Sequence, residues 1–217
     1  SLTLDQFTPF EINHFDTLQT KFYKQVFLYD DQHYLFVQED VFYKVNYKTH
    51  AVEQKYAIPH CTALTRIDEH GLMYYDRESK EVKIIDLTNG KTTLPFKGMN
   101  DQFGRPVKGT FVFAEKINPA RIILTTSESG IYVYEPLQQK IYSHTHYFAD
   151  NTSISANMTS TIEVSPSGWV FIDCNPTGIS YYNSNEIVSN QYVFTDQSGN
   201  GYDGFIAGIA TKDNNTY

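Results

Sequence analysis

The amino-acid sequence predicts an all-β fold built from repeated four-stranded units. The chain is rich in strand-forming aromatic residues, with 17 Tyr and 15 Phe among 217 residues, and it lacks the sustained 3.6-residue periodicity of long helices. Four similar short segments recur at a nearly constant interval: 41–46, 81–86, 130–135 and 178–183. Strand-like repeats with a period of roughly 40–50 residues are typical of a β-propeller, in which each unit forms one blade.

Each recurring segment is predicted to be the third strand of its unit. It carries apolar or aromatic residues at its second and fifth positions and an acidic or amide residue at its sixth. An apolar run precedes it as the second strand, and another apolar stretch with a polar turn precedes that run. The second-strand runs are 34–37, 72–75, 122–124 and 169–172. A turn and a fourth strand follow, as in 91–96 and 140–144, which completes the content of a blade.

The repeat sets the expected boundaries of the units. They are approximately 24–60, 61–106, 107–157 and 158–204, with an incomplete unit at 205–217. Residues 208–217 parallel 160–169 in layout, so Tyr217 takes the position in the repeat that Trp169 holds one unit earlier. We therefore expect four complete blades and part of a fifth, a fragment of a larger propeller spanning 1–217, with 1–20 unassigned. A sandwich or barrel also has strands at regular intervals, but the near-constant spacing favours the propeller.

Composition argues against two classes of partner. The net charge is −8 and no stripe of Lys or Arg is present, whereas nucleic-acid binding requires a basic surface. No apolar run reaches the length of about 18 residues expected of a membrane helix, so we expect no membrane contact by this segment. Cys61 is expected before the first strand of the second unit and Cys174 at the end of the second strand of the fourth. These units are not adjacent, so the sequence predicts two free thiols.

The residues that suggest catalysis or metal binding are better explained as structural. His144 and His146 lie on one face of a predicted outer strand, but zinc requires further ligands, which favours a solvated strand edge. The segment Ser165–Gly168 lacks the strand–elbow–helix context of a nucleophilic serine. The acidic pairs at 30–31, 39–40 and 68–69 could suggest a glycosidase, but each falls at a predicted turn. We expect no catalytic residue, metal or cofactor.

The long connections between units are the best candidates for binding. They are 96–109, 147–158 and 195–204. Loops on a rigid scaffold commonly carry binding groups, and their aromatic, amide, carboxylate and guanidinium groups suit a sugar or another polar ligand, although such loops can also be merely solvated. The candidate ligand-binding residues are Phe103, Arg105, Asn151, Asp196 and Tyr202.

The third and fourth units resemble the two-component regulator propeller repeat. That repeat has a polar turn with Gly, an aromatic-led strand, and then Gly-Leu or Gly-Ile leading to Tyr and an acidic residue. The fourth unit offers Ser167-Gly168-Trp169-Val170-Phe171-Ile172 and then Thr177-Gly178-Ile179-Ser180-Tyr181-Tyr182-Asn183. The third offers Ile122-Ile123-Leu124-Thr125-Thr126 and then Ser129-Gly130-Ile131-Tyr132-Val133-Tyr134-Glu135-Pro136. The first two units lack the Gly before the third strand and match by period alone.

This resemblance implies a function for the whole protein. Such repeats form the extracytoplasmic sensor regions of hybrid two-component histidine kinases, many of which sense oligosaccharides. The resemblance therefore implies a periplasmic or extracellular, non-catalytic sensor segment that binds a carbohydrate. Its partners would be the rest of the propeller and a second sensor chain. Two alternatives remain: a propeller glycosidase or lyase, with convergent carboxylates that include Glu163, and a protein-interaction scaffold with a flat apolar patch.

Overall fold

The structure is a computed structural model that describes residues 23–38, 40–150, 152–184, 189–193, 211–212 and 215–216. Every element of regular structure in these ranges is a β-strand, and the strands form four four-stranded antiparallel sheets and one short hairpin. The all-β prediction is therefore confirmed. Among these residues there is no helix that could cross a membrane. The chain divides into two compact units, 1–60 and 61–217.

The first unit contains sheet I, whose strands are paired in chain order. They are β1 (Tyr23–Asp30), β2 (His33–Gln38), β3 (Val41–Asn46) and β4 (Val52–Ala57). Leu35, Val37, Phe42 and Val45 are fully buried, and the whole of 35–38 in β2 is buried, so both faces of this central strand are covered. The imidazole of His33 lies 2.7 Å from Asp30 Oδ1 and 2.9 Å from Glu53 Oε2, and so links β1, β2 and β4.

The second unit contains sheets II, III and IV, each with its strands paired in chain order. Sheet II has β5 (Cys61–Arg66), β6 (Gly71–Asp76), β7 (Glu81–Asp86) and β8 (Thr92–Thr93). Sheet III has β9 (Phe111–Asn118), β10 (Arg121–Thr126), β11 (Ile131–Glu135) and β12 (Lys140–His144). Sheet IV has β13 (Met158–Val164), β14 (Trp169–Asn175), β15 (Gly178–Asn183) and β16 (Ser189–Val193). A hairpin of β17 (Thr211–Lys212) and β18 (Asn215–Thr216) follows.

Sheet III lies between sheets II and IV. One of its faces, which includes Ile122 and Leu124, packs on Met73 and Tyr75 of sheet II. Its other face, which includes Ile123, packs on the core residues of sheet IV. The two faces follow from side-chain alternation along β10, since neighbouring residues point to opposite sides. The first strands of the three sheets are also neighbours, because β9 contacts both β5 and β13.

Side-chain hydrogen bonds connect the sheets near their first strands. The hydroxyl of Thr62 donates to the Phe111 carbonyl oxygen at 2.9 Å, and that of Thr125 donates to the Ser160 carbonyl oxygen at 2.6 Å. The Thr159 hydroxyl accepts from the Thr126 amide at 3.0 Å. These bonds satisfy polar groups that packing removes from water, and they set the alignment of each sheet on the next.

Aspartates close many of the turns. In each case a carboxylate oxygen accepts hydrogen bonds from backbone amides two or three residues later, an arrangement that favours Asp in turns. Examples are Asp30 with Gln32, Asp68 with His70 and Gly71, Asp76 with Glu78 and Ser79, and Asp86 with Thr88. The acidic residues at 30 and 68 are thus turn residues, as the sequence predicts. Ser165 likewise accepts from the Trp169 amide within the turn that joins β13 and β14.

Two local predictions are wrong. The fourth strand of the second unit, expected over 91–96, is only Thr92–Thr93, since Pro95 lacks an amide hydrogen and interrupts a β-ladder. Cys61 begins β5 instead of preceding it, because its backbone already pairs with Asp76 of β6. Cys61 and Cys174 are both buried free thiols, as predicted. Trp169 and Ile122 both lie in the second strands of their sheets. When the two sheets are aligned by their equivalent strands, the positions of these residues differ by one.

Candidate functional site

An open cavity of about 1080 Å³ lies beside the outer strands of sheets III and IV. We call it the III–IV groove. Three strands provide most of its walls. β11 contributes the alternate residues Ile131, Val133 and Glu135, as expected for side chains on one face of a strand, whereas β12 and β15 contribute the consecutive residues 142–144 and 180–182. Its volume lies slightly above the range of about 300–1,000 Å³ that is usual for small-molecule sites.

The loop between β8 and β9 is clamped to β12 at one end of the groove. The Gln102 side chain pairs with the backbone of Ser143 as a neighbouring strand would, because it donates to the carbonyl oxygen at 2.6 Å and accepts from the amide at 2.7 Å. This covers the otherwise unpaired edge of β12. Asp101 accepts from the amides of Phe103 and Arg105, both at 2.9 Å, and from the Ser143 hydroxyl at 2.7 Å. These hydrogen bonds fasten the loop to β12.

The clamp presents Phe103 and Arg105 together. The ring of Phe103 is 68% exposed, and the Arg105 guanidinium lies 4.7 Å from its centroid. Arg105 donates to Asp101 Oδ2 through Nε at 2.9 Å and to the Ser143 hydroxyl at 2.7 Å. Burial alone would raise the pKa of Asp101, but hydrogen bonds from Ser143, Arg105 and Phe103 lower it to about 2. Asp101 is thus an anion at neutral pH that holds Arg105 beneath an exposed aromatic ring.

The other end of the groove contains a second guanidinium–carboxylate pair. Arg121 Nε donates to Glu135 Oε1 at 3.0 Å; the Glu135 side chain is 10% exposed and that of Arg121 is 48% exposed. Tyr182 lies close by, and burial raises the pKa of its hydroxyl to about 12, while the positive charge of Arg121 partly opposes this shift. The Tyr182 hydroxyl is therefore a neutral hydrogen-bond donor and acceptor at physiological pH.

The loop between β12 and β13 forms the third wall of the groove. Tyr147, Asp150 and Ser153 contribute to the lining. The Ser153 hydroxyl accepts from the Tyr147 amide at 2.9 Å, which fixes the loop internally. The Asn157 side-chain oxygen accepts from the His146 amide at 2.7 Å and the Asn157 carbonyl oxygen accepts from the Gly130 amide at 2.8 Å. These bonds anchor the loop to the start of β11.

His144 and His146 differ in their surroundings. His144 is exposed on the outer strand β12, as expected of a solvated strand edge; it also lines the groove, and desolvation lowers the pKa of its imidazole. A ring nitrogen of His146 lies 2.8 Å from the Ile154 carbonyl oxygen, so this side chain supports the loop. Among the described residues, no group of three or more His, Cys, Asp or Glu is arranged to hold a metal ion.

The candidate residues from the sequence are only partly accounted for. Phe103 and Arg105 lie together at the groove, whereas Asn151, Asp196 and Tyr202 lie outside the described residues. Sequence reasoning missed the strand residues of the groove, chiefly Arg121, Glu135, His144 and Tyr182. The alternation of side chains along a strand predicts which face of its sheet each of these residues lies on. It does not predict which faces of neighbouring sheets come together to form the groove.

Two carboxyl groups lie outside the groove at equivalent positions of successive sheets. Glu115 of β9 is paired with Ile123, and Glu163 of β13 is paired with Phe171. Glu163 follows Glu115 by one period of the sequence repeat, and Phe171 follows Ile123 by the same interval. The strands β9 and β13 are in contact, and Glu115 lies within the electrostatic influence of Glu163. Burial, together with the negative charge of Glu163, raises the pKa of Glu115 to about 7, and burial raises the pKa of Glu163 as well.

Comparison with known proteins gives a likeness of fold alone. No protein-family model matches the chain, and no curated protein matches it. The crystal structure of the computationally designed Ika8 protein is similar, with a TM-score of 0.53 and 10% sequence identity over 89% of this chain and 54% of that one. Kuenenia stuttgartiensis hydrazine synthase has a TM-score of 0.49 and 15% identity over 71% of this chain and 44% of that one. The chain thus spans about half the length of these two proteins.

Proposed function

We propose that the four sheets are consecutive blades of a β-propeller. The near-constant interval between the like strands β3, β7, β11 and β15 supports this, as does the adjacency of β5, β9 and β13 in the second unit. Burial of both faces of sheet III against its neighbours also supports it, because a blade cannot bury its apolar faces alone. The hairpin of β17 and β18 is the beginning of the next blade.

The III–IV groove is the ligand-binding site, and its ligand is a short oligosaccharide. The observation that carries this conclusion is the pair of Phe103 and Arg105, an exposed aromatic ring held rigidly beside a cavity lined with polar groups. Sugar rings present apolar C–H faces that stack on aromatic rings and hydroxyl groups that need hydrogen-bond partners. Preorganisation by the Asp101 and Gln102 clamp lowers the entropic cost of binding.

Binding in this groove suits a sensor and not a catalyst. A ligand there would touch two neighbouring blades, and so could favour one arrangement of them over another through its differential affinity. The segment is then the non-catalytic, extracytoplasmic part of a two-component signalling protein, as the repeat resemblance implies. The groove is concave and contains two guanidinium–carboxylate pairs, unlike the flat apolar patch expected of a pure interaction scaffold.

Isothermal titration calorimetry with a panel of short oligosaccharides tests this proposal. Replacing Phe103 by Ala removes the stacking surface, which is worth roughly 0.5–1.5 kcal/mol, so affinity falls roughly two- to tenfold. The matched control is the double substitution Leu137→Ala and Lys97→Ala, which removes an exposed apolar residue and an exposed cation outside the groove. Absence of binding to every oligosaccharide, or equal affinities of Phe103→Ala and wild type, would refute the site.

A glycosidase or lyase is the second candidate, and the Glu115–Glu163 pair favours it. Two neighbouring carboxyls, one with a pKa of about 7, resemble the general acid and the carboxylate of glycoside hydrolysis. Neither residue lines the III–IV groove, which is why sensing is preferred. Release of reducing ends from an oligosaccharide, lost in both Glu115→Gln and Glu163→Gln, would establish the enzyme instead.

A further inference from the structure

The ionised groups of the III–IV groove are already paired within the protein. Arg105 is held by Asp101, with Nη2 of Arg105 2.8 Å from Asp101 Oδ2, and Arg121 is held by Glu135. The remaining carboxylate of the lining, Asp150, accepts from the amide of Thr152 at 2.9 Å in its own turn. Each of the two guanidinium groups therefore has a counterion, and Asp150 leaves one negative charge in excess around the groove.

The imidazole in the groove adds no charge. His144 ends β12, next to Ser143, which binds Asp101 and Arg105; desolvation keeps the pKa of His144 below the usual value of 6.5, so the imidazole is neutral at neutral pH. The groups facing the cavity with it are Tyr142 on the same strand, Tyr182 from β15 and Asp150 from the loop. Of these only Asp150 is charged, and it is negative, so an anionic ligand finds no compensating charge there.

The groove nevertheless has hydrogen-bonding capacity that the protein does not use. Arg121 donates to Glu135 through Nε, and its terminal nitrogens form no hydrogen bond with any described residue. The same holds for the Tyr182 hydroxyl within the described part of the chain. Guanidinium N–H groups whose charge is already balanced, together with neutral hydroxyl groups, match the hydroxyls of a sugar better than a carboxylate or sulfate.

We infer that the III–IV groove selects a short neutral oligosaccharide and discriminates against uronic-acid and sulfated ones. This rests on the proposed function of the groove as an oligosaccharide site. The physical reason is that the charge of each guanidinium is already balanced by Asp101 or Glu135, so an anion bound at the terminal nitrogens of Arg121 would be desolvated beside the Glu135 carboxylate and would gain no uncompensated positive charge. The net charge of −8 adds a general repulsion of anions.

Matched pairs of trisaccharides test the inference on the wild-type chain by calorimetry. Each pair shares linkage and stereochemistry and differs in having CH2OH or a carboxylate at C6: galactotriose with trigalacturonate, mannotriose with trimannuronate, and cellotriose with its uronic counterpart. In the pair that binds best, we expect the neutral trisaccharide to bind at least roughly fivefold tighter than the acidic one. This ratio corresponds to one unfavourable interaction between partly exposed charges. Its affinity should stay constant between about 0.05 and 0.5 M NaCl, where screening changes strongly.

The variant Glu135→Gln tests the mechanism of the discrimination. It is isosteric, can still accept a hydrogen bond from Arg121, and leaves the guanidinium without its counterion. We expect the preference for the neutral member to shrink roughly fivefold. The control Glu128→Gln makes the same change of charge at an exposed position outside the groove and should leave the preference unchanged.

The possible outcomes separate the inference from the function on which it rests. Tighter binding of an acidic member to wild type, with affinity that falls as salt rises, would overturn the neutral preference and leave the oligosaccharide site standing. An unchanged preference in Glu135→Gln, with binding intact, would also overturn the charge-pairing argument. No binding by any of the six trisaccharides would overturn the proposed function and the inference together.

Discussion

The Glu115–Glu163 pair predicts that stability decreases as pH rises towards neutrality. The pKa of Glu115 is about 7 in the folded protein, against 4.5 ordinarily, so the folded state binds this proton more tightly than the unfolded state. The carboxyl imposes no penalty below pH 4.5, where both states are protonated. The penalty grows as pH rises from 4.5 to 7 and is complete above that range. Replacing Glu115 by Gln removes the ionisation and should remove the penalty.

The magnitude follows from the size of the shift. At about 1.4 kcal/mol per pKa unit, an increase from 4.5 to about 7 corresponds to about 3 kcal/mol as an upper bound. Glu115 is only half-buried, and solvent screening reduces the effect, so we expect Glu115→Gln to be about 1–2 kcal/mol more stable than wild type at pH 8. The neighbouring Lys116 does not offset the charge, since its Nζ donates to the Ile67 carbonyl oxygen at 2.6 Å.

Urea denaturation of wild type and Glu115→Gln at pH values from 4.5 to 8 measures this difference. The two free energies of unfolding should converge near pH 4.5 and diverge as pH rises, with equal m-values. Glu163→Gln should capture part of the same gain, and the double variant should gain less than the sum, because the two charges are coupled. Glu128→Gln, at an exposed site, is the control. Parallel curves for wild type and Glu115→Gln would refute the reasoning.

Three further predictions concern the groove and its supports. Gly130 has φ +76°, and an added Cβ would overlap the His144 carbonyl oxygen, so Gly130→Ala should lower the free energy of unfolding by about 2–4 kcal/mol. Gly104→Ala is the control, with φ +75° but open space, and should lose only about 1 kcal/mol; equal losses would contradict the overlap. Tyr182→Phe should weaken oligosaccharide binding roughly fivefold with unchanged stability, as calorimetry and urea denaturation can show; unchanged affinity would exclude Tyr182 from the site. Asp101 has a pKa of about 2, so its stabilisation is present above about pH 4 and lost as pH falls towards 2. Asp101→Asn should therefore be less stable than wild type at pH 7 but not at pH 2; identical acid-unfolding curves would contradict its role in the clamp.

Part of the groove can be predicted from the sequence. The loop carrying Phe103 and Arg105 is recognisable as a long connection between units, because its Gly and Pro residues interrupt the strand pattern. The pairing of that loop with Ser143 cannot be predicted, since it joins residues about forty positions apart through side chains that have many alternative partners. The proximity of Arg121 and Tyr182 cannot be predicted either, because these residues belong to different sheets and come close only when those sheets pack.

The sequence by itself determined which segments form most of the strands and their order within each unit. Alternating apolar residues define each strand, turn aspartates such as Asp68 and Asp86 end it, and the period places Glu115 and Glu163 at equivalent positions. These are local properties, set by side-chain alternation and backbone hydrogen bonding within a few residues. Only the tertiary structure decided which sheet faces come together, and thereby the groove, the charge pairs within it and the perturbed carboxyls. Those features depend on packing between distant segments, where many pairings satisfy the same local pattern.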